Sequence, residues 1–167
     1  FKHYLSSWQY YDLSHSELRG YSYNPTDTVL SPDGNNLATV IYHLTRDECR
    51  YRSFLKYIQK FDPSIDLINF SHLTNDVFIM FFKDTEGHSL PAINASTGTL
   101  RFLGLTYVLF QPVLIPHQLV IVEEPENGIY VGLLKDIIEM AAQAPGSPQL
   151  IFTSHSPYFI DLFDDRL

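Results

Sequence analysis

Two apolar runs, Leu119-Val120-Ile121-Val122 and Leu150-Ile151-Phe152-Thr153, constrain the fold of this chain more than any other feature. Each is short, unalternating and bounded by turn residues, which reads as a strand buried in a sheet. Between them Leu133, Leu134, Ile137, Ile138 and Ala141 recur at helical spacing over 130–143, and Ala144-Pro145-Gly146-Ser147-Pro148 breaks that helix. Strand, helix and strand at this spacing form a βαβ unit. The two strands are therefore expected to be parallel neighbours joined by a right-handed crossover.

Upstream the pattern is more mixed. Residues 1–28 are rich in Tyr, Ser and His without a sustained period and read as short strands and loop, with a turn at Asn24-Pro25. Ser31-Pro32-Asp33-Gly34-Asn35-Asn36 is turn and cap chemistry. After it, Leu37, Val40, Ile41 and Leu44 mark one helical face. Thr45 followed by Glu48 fits a capping box, so a second helix is expected to begin there, with Tyr51, Phe54, Leu55 and Ile58 inward. Pro63 ends it at Phe61-Asp62. Residues 77–83 read as a strand, 84–87 as a turn, and 88–93 as a returning strand. A helix starting at Ser96 is expected to run to Phe110. The resulting division is an amino-terminal segment over 1–28, a helical subdomain over 29–76, and an α/β core over 77–167.

Composition sets limits on function. Hydrophobic residues make up 45% and charged residues 18%, with twelve Phe and eleven Tyr, so a packed core is expected rather than a disordered chain. Eleven basic side chains against nineteen acidic ones leave a net charge of −8, which disfavours this surface as a nucleic-acid groove. Cys49 is the only cysteine, so no internal disulfide forms, and a cytoplasmic protein is expected. No apolar run is long enough for a membrane span. The chain opens at Phe1 without Met or leader and is expected to be a piece of something longer.

Three constellations could carry chemistry. Glu123-Glu124 ends the first apolar strand, where ligands of parallel sheets bind. Adjacent carboxylates there call for a cation or a proton, unless the loop is simply solvated. Thr153-Ser154-His155-Ser156-Pro157 ends the neighbouring strand. Adjacent strands would bring His155 beside Glu124, where an imidazole can bond a phosphate oxygen or a water; the alternative is a plain turn and N-cap. Ser96-Thr97-Gly98-Thr99-Leu100-Arg101 opens a helix, and its free N–H groups suit an anion, although an ordinary capped helix would read the same way. The three occur in one order, with Gly98 and Glu124 separated by 26 positions and Glu124 and His155 by 31.

Taken together, these motifs resemble the signature, Walker B and switch-histidine motifs of ABC-type ATPases. The wording Ser-Thr-Gly-Thr-Leu-Arg, Val-Glu-Glu-Pro-Glu-Asn-Gly and Thr-Ser-His-Ser-Pro is most similar to the bacterial AAA-family branch near the SMC and RecF heads. Ser31 to Leu37 also resembles a segment of that branch. The resemblance covers about residues 93–160 and 29–44. It implies a P-loop NTPase-like parallel sheet flanked by helices, with a helical and β-hairpin subdomain, and it implies that this fold is incomplete here.

By position the resemblance implies a metal role for Glu123, which would hold Mg2+, and a catalytic role for Glu124, which would polarise the attacking water. His155 would be the switch histidine, and Ser96, Gly98 and Thr99 would contact the nucleotide as the signature motif. It further implies ATP as ligand, a homodimer closing on nucleotide through its heads, and DNA or an effector met only through regions outside this chain. Three positions depart from the usual pattern: Glu123 stands for an Asp, Thr97 for a small or acidic residue, and Tyr130 for a His. The largest departure is that no Gly-x-x-x-x-Gly-Lys-Ser/Thr occurs. The chain alone is therefore expected to be inactive, and its full-length parent an ATPase. Two competing readings are a scaffold module that has lost nucleotide binding, and a metal-dependent hydrolase or nuclease using Glu123, Glu124, Glu126 and His155.

Overall fold

The structure is a computed structural model and describes residues 8–19, 26–74, 77–110, 119–144 and 149–164. The expected turn at Asn24-Pro25 and the helix breaker over 145–148 lie outside these residues.

One sheet carries the βαβ unit. Strands β1 (Gln9–Tyr11), β5 (Leu119–Glu123) and β6 (Gln149–Thr153) lie in the order β1-β5-β6, all parallel. Register runs Tyr11↔Val122↔Phe152 and Tyr10↔Ile121↔Ile151. Because side chains alternate across a strand, these two rows face opposite sides. The row of Tyr11, Val122 and Phe152 faces the helices: Phe152 meets Phe159 and Phe163 of the terminal helix α6 (Pro157–Asp164). Along the other row Tyr10 is 48% and Ile151 43% exposed. A parallel sheet is ordinarily covered on both faces; among the described residues this one is covered on one.

The second sheet is an antiparallel meander of β2 (Ile65–His72), β3 (Phe78–Asp84) and β4 (Ser89–Pro91). The last two match the expected strand pair. Strand β2 was not foreseen: it lies inside the 29–76 range read as helical. Its buried residues Ile65 and Ile68 are three apart, so the period-2 signal is weak. A β-bulge between Ile65 and Leu67 accounts for the odd spacing.

Helices α2 (Leu37–Leu44) and α3 (Glu48–Phe61) bury the expected faces, with Leu37, Val40, Ile41 and Leu44 on one and Phe54 and Ile58 on the other. The cap of α3 differs from expectation. Asp47, not Thr45, accepts the N–H of Arg50, while the Thr45 hydroxyl donates to the carbonyl of Tyr42 at the end of α2. Ser, Thr and Asp all cap well, and the chain must turn at residues 45–47 before α3 can begin, which favours the last of them. A one-turn helix, α1 (His15–Leu18), falls in the segment read as strand and loop.

Helix α4 (Thr97–Phe110) runs through the centre of the molecule, with residues 100–109 all buried. It is apolar on every side, as a central helix must be. α5 (Leu134–Ala142) is the crossover helix and is entered through a tight turn at Val131–Leu133. One continuous core joins both sheets and the helices between them. Among the described residues no helix is long and apolar enough to cross a membrane.

Candidate functional site

The parallel register delivers Glu123 opposite Thr153 at the carboxyl ends of β5 and β6. One further ladder bond follows, from the N–H of Glu124 to the carbonyl of Thr153 at 2.9 Å. Past it the two chains diverge, and Glu124 and His155 emerge side by side. Nε2 of His155 is 3.7 Å from Oε1 of Glu124, with the imidazole almost wholly in solvent and the carboxylate about a third exposed. The acid and the imidazole expected at one rim are thus found there together.

The backbone at Glu124 is unusual, with φ of 42°, in the left-handed region that favours glycine. A non-glycine residue held there costs of order 1–3 kcal/mol and needs surrounding bonds to keep it in place. Those bonds are present. The carbonyl of Glu124 accepts the N–H of Asn127 at 3.0 Å and a guanidinium N–H of Arg101 at 3.0 Å. The carboxylate accepts the side-chain amide of Asn127 through Oε2.

Glu123 is held differently. Its carboxylate accepts the hydroxyl of Tyr10 from β1, on the same open face of the sheet. That hydrogen bond is the main reason the Tyr10 phenol is pushed up to about 12, so it stays a neutral donor across the physiological range. No Lys or Arg among the described residues lies within ion-pair distance of Glu123 or Glu124. Two adjacent carboxylates without a Lys or Arg ion-pair partner among the described residues suit a divalent cation. No group of three or more His, Cys, Asp or Glu side chains converges among the described residues. Glu123 and Glu124 are the residues that would hold a Mg2+, which would supply charge neutralisation there; the described residues do not form an all-protein metal cage. The Glu126 carboxylate accepts the Ser154 hydroxyl and keeps a buried oxygen without a partner.

Ser96 and Thr99 line a different cleft from this rim, while Gly98 backs onto the loop that follows Glu124. Ser96 caps α4 as expected, its hydroxyl accepting the N–H of Thr99 at 3.0 Å and pairing with the Thr99 hydroxyl at 2.8 Å. Ser96 and Thr99 line a cleft of about 500 Å3 with Asp62, Lys83, Asp84 and His88, to which neither Glu124 nor His155 contributes. Gly98 also has a packing role, beside the anion approach expected of it. A Cβ there would lie 2.8 Å from the carbonyl oxygen of Gly128, in the loop that follows Glu124. Gly128 itself has φ of 71°, and a Cβ on it would meet the Thr97 side chain. The pair of glycines lets the start of α4 and the carboxylate loop touch backbone to backbone.

Arg101 was quoted within its motif without a role, yet it joins the two halves. It is buried, and its guanidinium donates to the carbonyl of Leu13 at 2.5 Å as well as to that of Glu124. Burial draws it below its ordinary value, while Asp12, Glu124 and Glu126 oppose that shift. A signal was available in the sequence: Arg101 is the one charged residue in the fourteen of α4.

A parallel βαβ sheet flanked by helices is consistent with a domain of the P-loop NTPase kind. The chain belongs to the family described as "AAA domain, putative AbiEii toxin, Type IV TA system", whose model matches residues 2–161. It is accordingly a nucleotide-binding, ATPase-like AAA domain. No curated protein matches it.

Proposed function

We propose that this chain supplies the hydrolytic half of an ATPase site of the ABC type, SMC/RecF-like in layout. Glu124 orients and polarises the attacking water, and His155 senses or holds the γ-phosphate side of that water. Glu123 is the residue that would hold Mg2+, with Tyr10 fixing its carboxylate; the ion supplies charge neutralisation on the phosphates. The observation that carries this reading is the 3.7 Å approach of His155 to Glu124 at the carboxyl edge of two parallel strands.

The phosphate-cradling loop, absent from the 167 residues, would come from polypeptide outside them. Among the described residues the sheet face bearing Tyr10 and Ile151 is exposed, which supports the view that the fold takes up further structure. Ser96 and Thr99 open onto a different surface from the rim, which supports action on a nucleotide held by a second copy, and hence a head-to-head dimer. On this layout nucleotide would close the heads and hydrolysis would release them.

The test is Glu124→Gln in the full-length protein. ATP binding should stay within a few-fold of wild type, and phosphate release should fall about 100-fold or more, the usual scale for a positioned base. Undiminished release with intact binding would remove Glu124 from the reaction. The scaffold reading keeps two observations in its favour, the missing loop and Glu123 in place of an Asp, and it requires that neither wild type nor variant bind Mg·ATP. The metal-hydrolase reading is weakened because Glu123, Glu124, Glu126 and His155 do not converge as a metal-ligand group among the described residues.

A further inference from the structure

The start of α4 and the loop bearing Glu124 are joined by one side chain. Arg101 lies one turn beyond Ser96 and Thr97, and its stem passes beside Gly128. Its two terminal nitrogens reach the carbonyls of Leu13, after β1, and Glu124, after β5. The guanidinium is buried, its Nε has no partner, and the carbonyl it grips belongs to the residue with the strained φ. A bond to a side chain would leave the backbone free to relax. A bond to the carbonyl fixes the peptide plane, and with it the direction in which the carboxylate leaves the chain.

We propose that Arg101 is a positioning residue, which holds Glu124 in its left-handed conformation and transmits to it any displacement of the Ser96–Thr99 helix start. As a statement about turnover this rests on the ATPase reading above; as a statement about the loop it stands on the geometry alone. Contact at Ser96 and Thr99, on one surface, would thereby alter the aim of the acid on another. Lysine cannot substitute, because one ammonium cannot span two carbonyls in the planar fork that a guanidinium provides. Gly98 and Gly128 serve the same link, since any bulk between them would push the loop off the helix.

The experiment compares wild type, Arg101→Lys and Arg101→Met in the full-length protein. The readouts are kcat and KM for Mg·ATP, thermal melting, and amide hydrogen exchange. In Arg101→Lys, kcat should drop about 10- to 100-fold while KM moves less than about threefold, the pattern of a misaimed group and not of lost binding. Exchange at the Glu124 and Asn127 amides should quicken in both variants, with the amides of β2 and β3 unchanged. Values of kcat within about twofold of wild type in both variants would overturn the proposal, as would a fall matched by loss of folded protein. If wild type itself shows no turnover, the ATPase reading fails separately and exchange decides. Faster exchange confined to residues 122–128 in Arg101→Met then supports the positioning role, and unchanged exchange overturns it.

Discussion

At the scale of single residues, the site is organised around one strained position. Glu124 occupies a conformation that costs energy, and it is kept there by Arg101, Asn127 and the last rung of the β5–β6 ladder. Strain of this kind has a stability signature. Glu124→Gly should melt no lower than wild type despite losing the Asn127 contact, because glycine removes a penalty of about 1–2 kcal/mol at positive φ. Glu124→Val should lose about 1–3 kcal/mol in urea unfolding, since a β-branched side chain fits that region worst. The pairing of Glu124 with His155 was legible in the sequence because two apolar strands and one crossover leave little freedom in where their ends fall. Arg101 and Tyr10 were not read, because their partners lie 23 and 113 positions away and include a backbone carbonyl, which no residue-type pattern encodes.

At the scale of elements, helices and strands were legible where apolar spacing was strong, as in α2, α3, β5 and β6. They were obscure where local chemistry was ambiguous. Two candidate caps, Thr45 and Asp47, crowd residues 45–48, and only the turn geometry selects Asp47. Strand β2 hides because what secures it is partly a side chain from another element. The Tyr51 hydroxyl of α3 takes the N–H of Ile68 at 2.9 Å and donates to its carbonyl at 3.3 Å. Tyr51→Phe should therefore cost about 1–3 kcal/mol by leaving Ile68 unpaired, measured by urea unfolding at neutral pH. Burial is the main cause that raises the Tyr51 phenol above its ordinary 10.0. A raised value means that its contribution is whole below pH 10 and is lost as pH climbs through the folded-state value. The stability gap between wild type and Tyr51→Phe should accordingly narrow above pH 10 and stay constant from neutrality up to that point. The close approach of α4 to the loop after Glu124 makes a companion prediction. Gly98→Ala should destabilise by about 1–3 kcal/mol through contact with the Gly128 carbonyl, less the roughly 1 kcal/mol that alanine gains in a helix. A melting temperature above wild type would mean that the two backbones do not meet.

At the scale of the whole molecule, the parallel sheet and the antiparallel meander share one core, but their signals differ. The parallel half announced itself through buried strands and strand-end polar motifs. The meander gave only its last two strands, and a net charge of −8 said more about what the surface avoids than about what it binds. The open row of Tyr10, Ile121 and Ile151 leads up to the rim where Glu123, Glu124 and His155 stand. On the proposed reading whatever holds the phosphates approaches that rim, and the most direct measurement is a structure of the full-length protein with Mg2+ and a non-hydrolysable ATP analogue. The γ-phosphate should lie against Glu124 and His155, with the metal on the side of Glu123. A nucleotide seated instead in the cleft of Lys83 and His88, with the strand-end rim empty, would contradict the assignment.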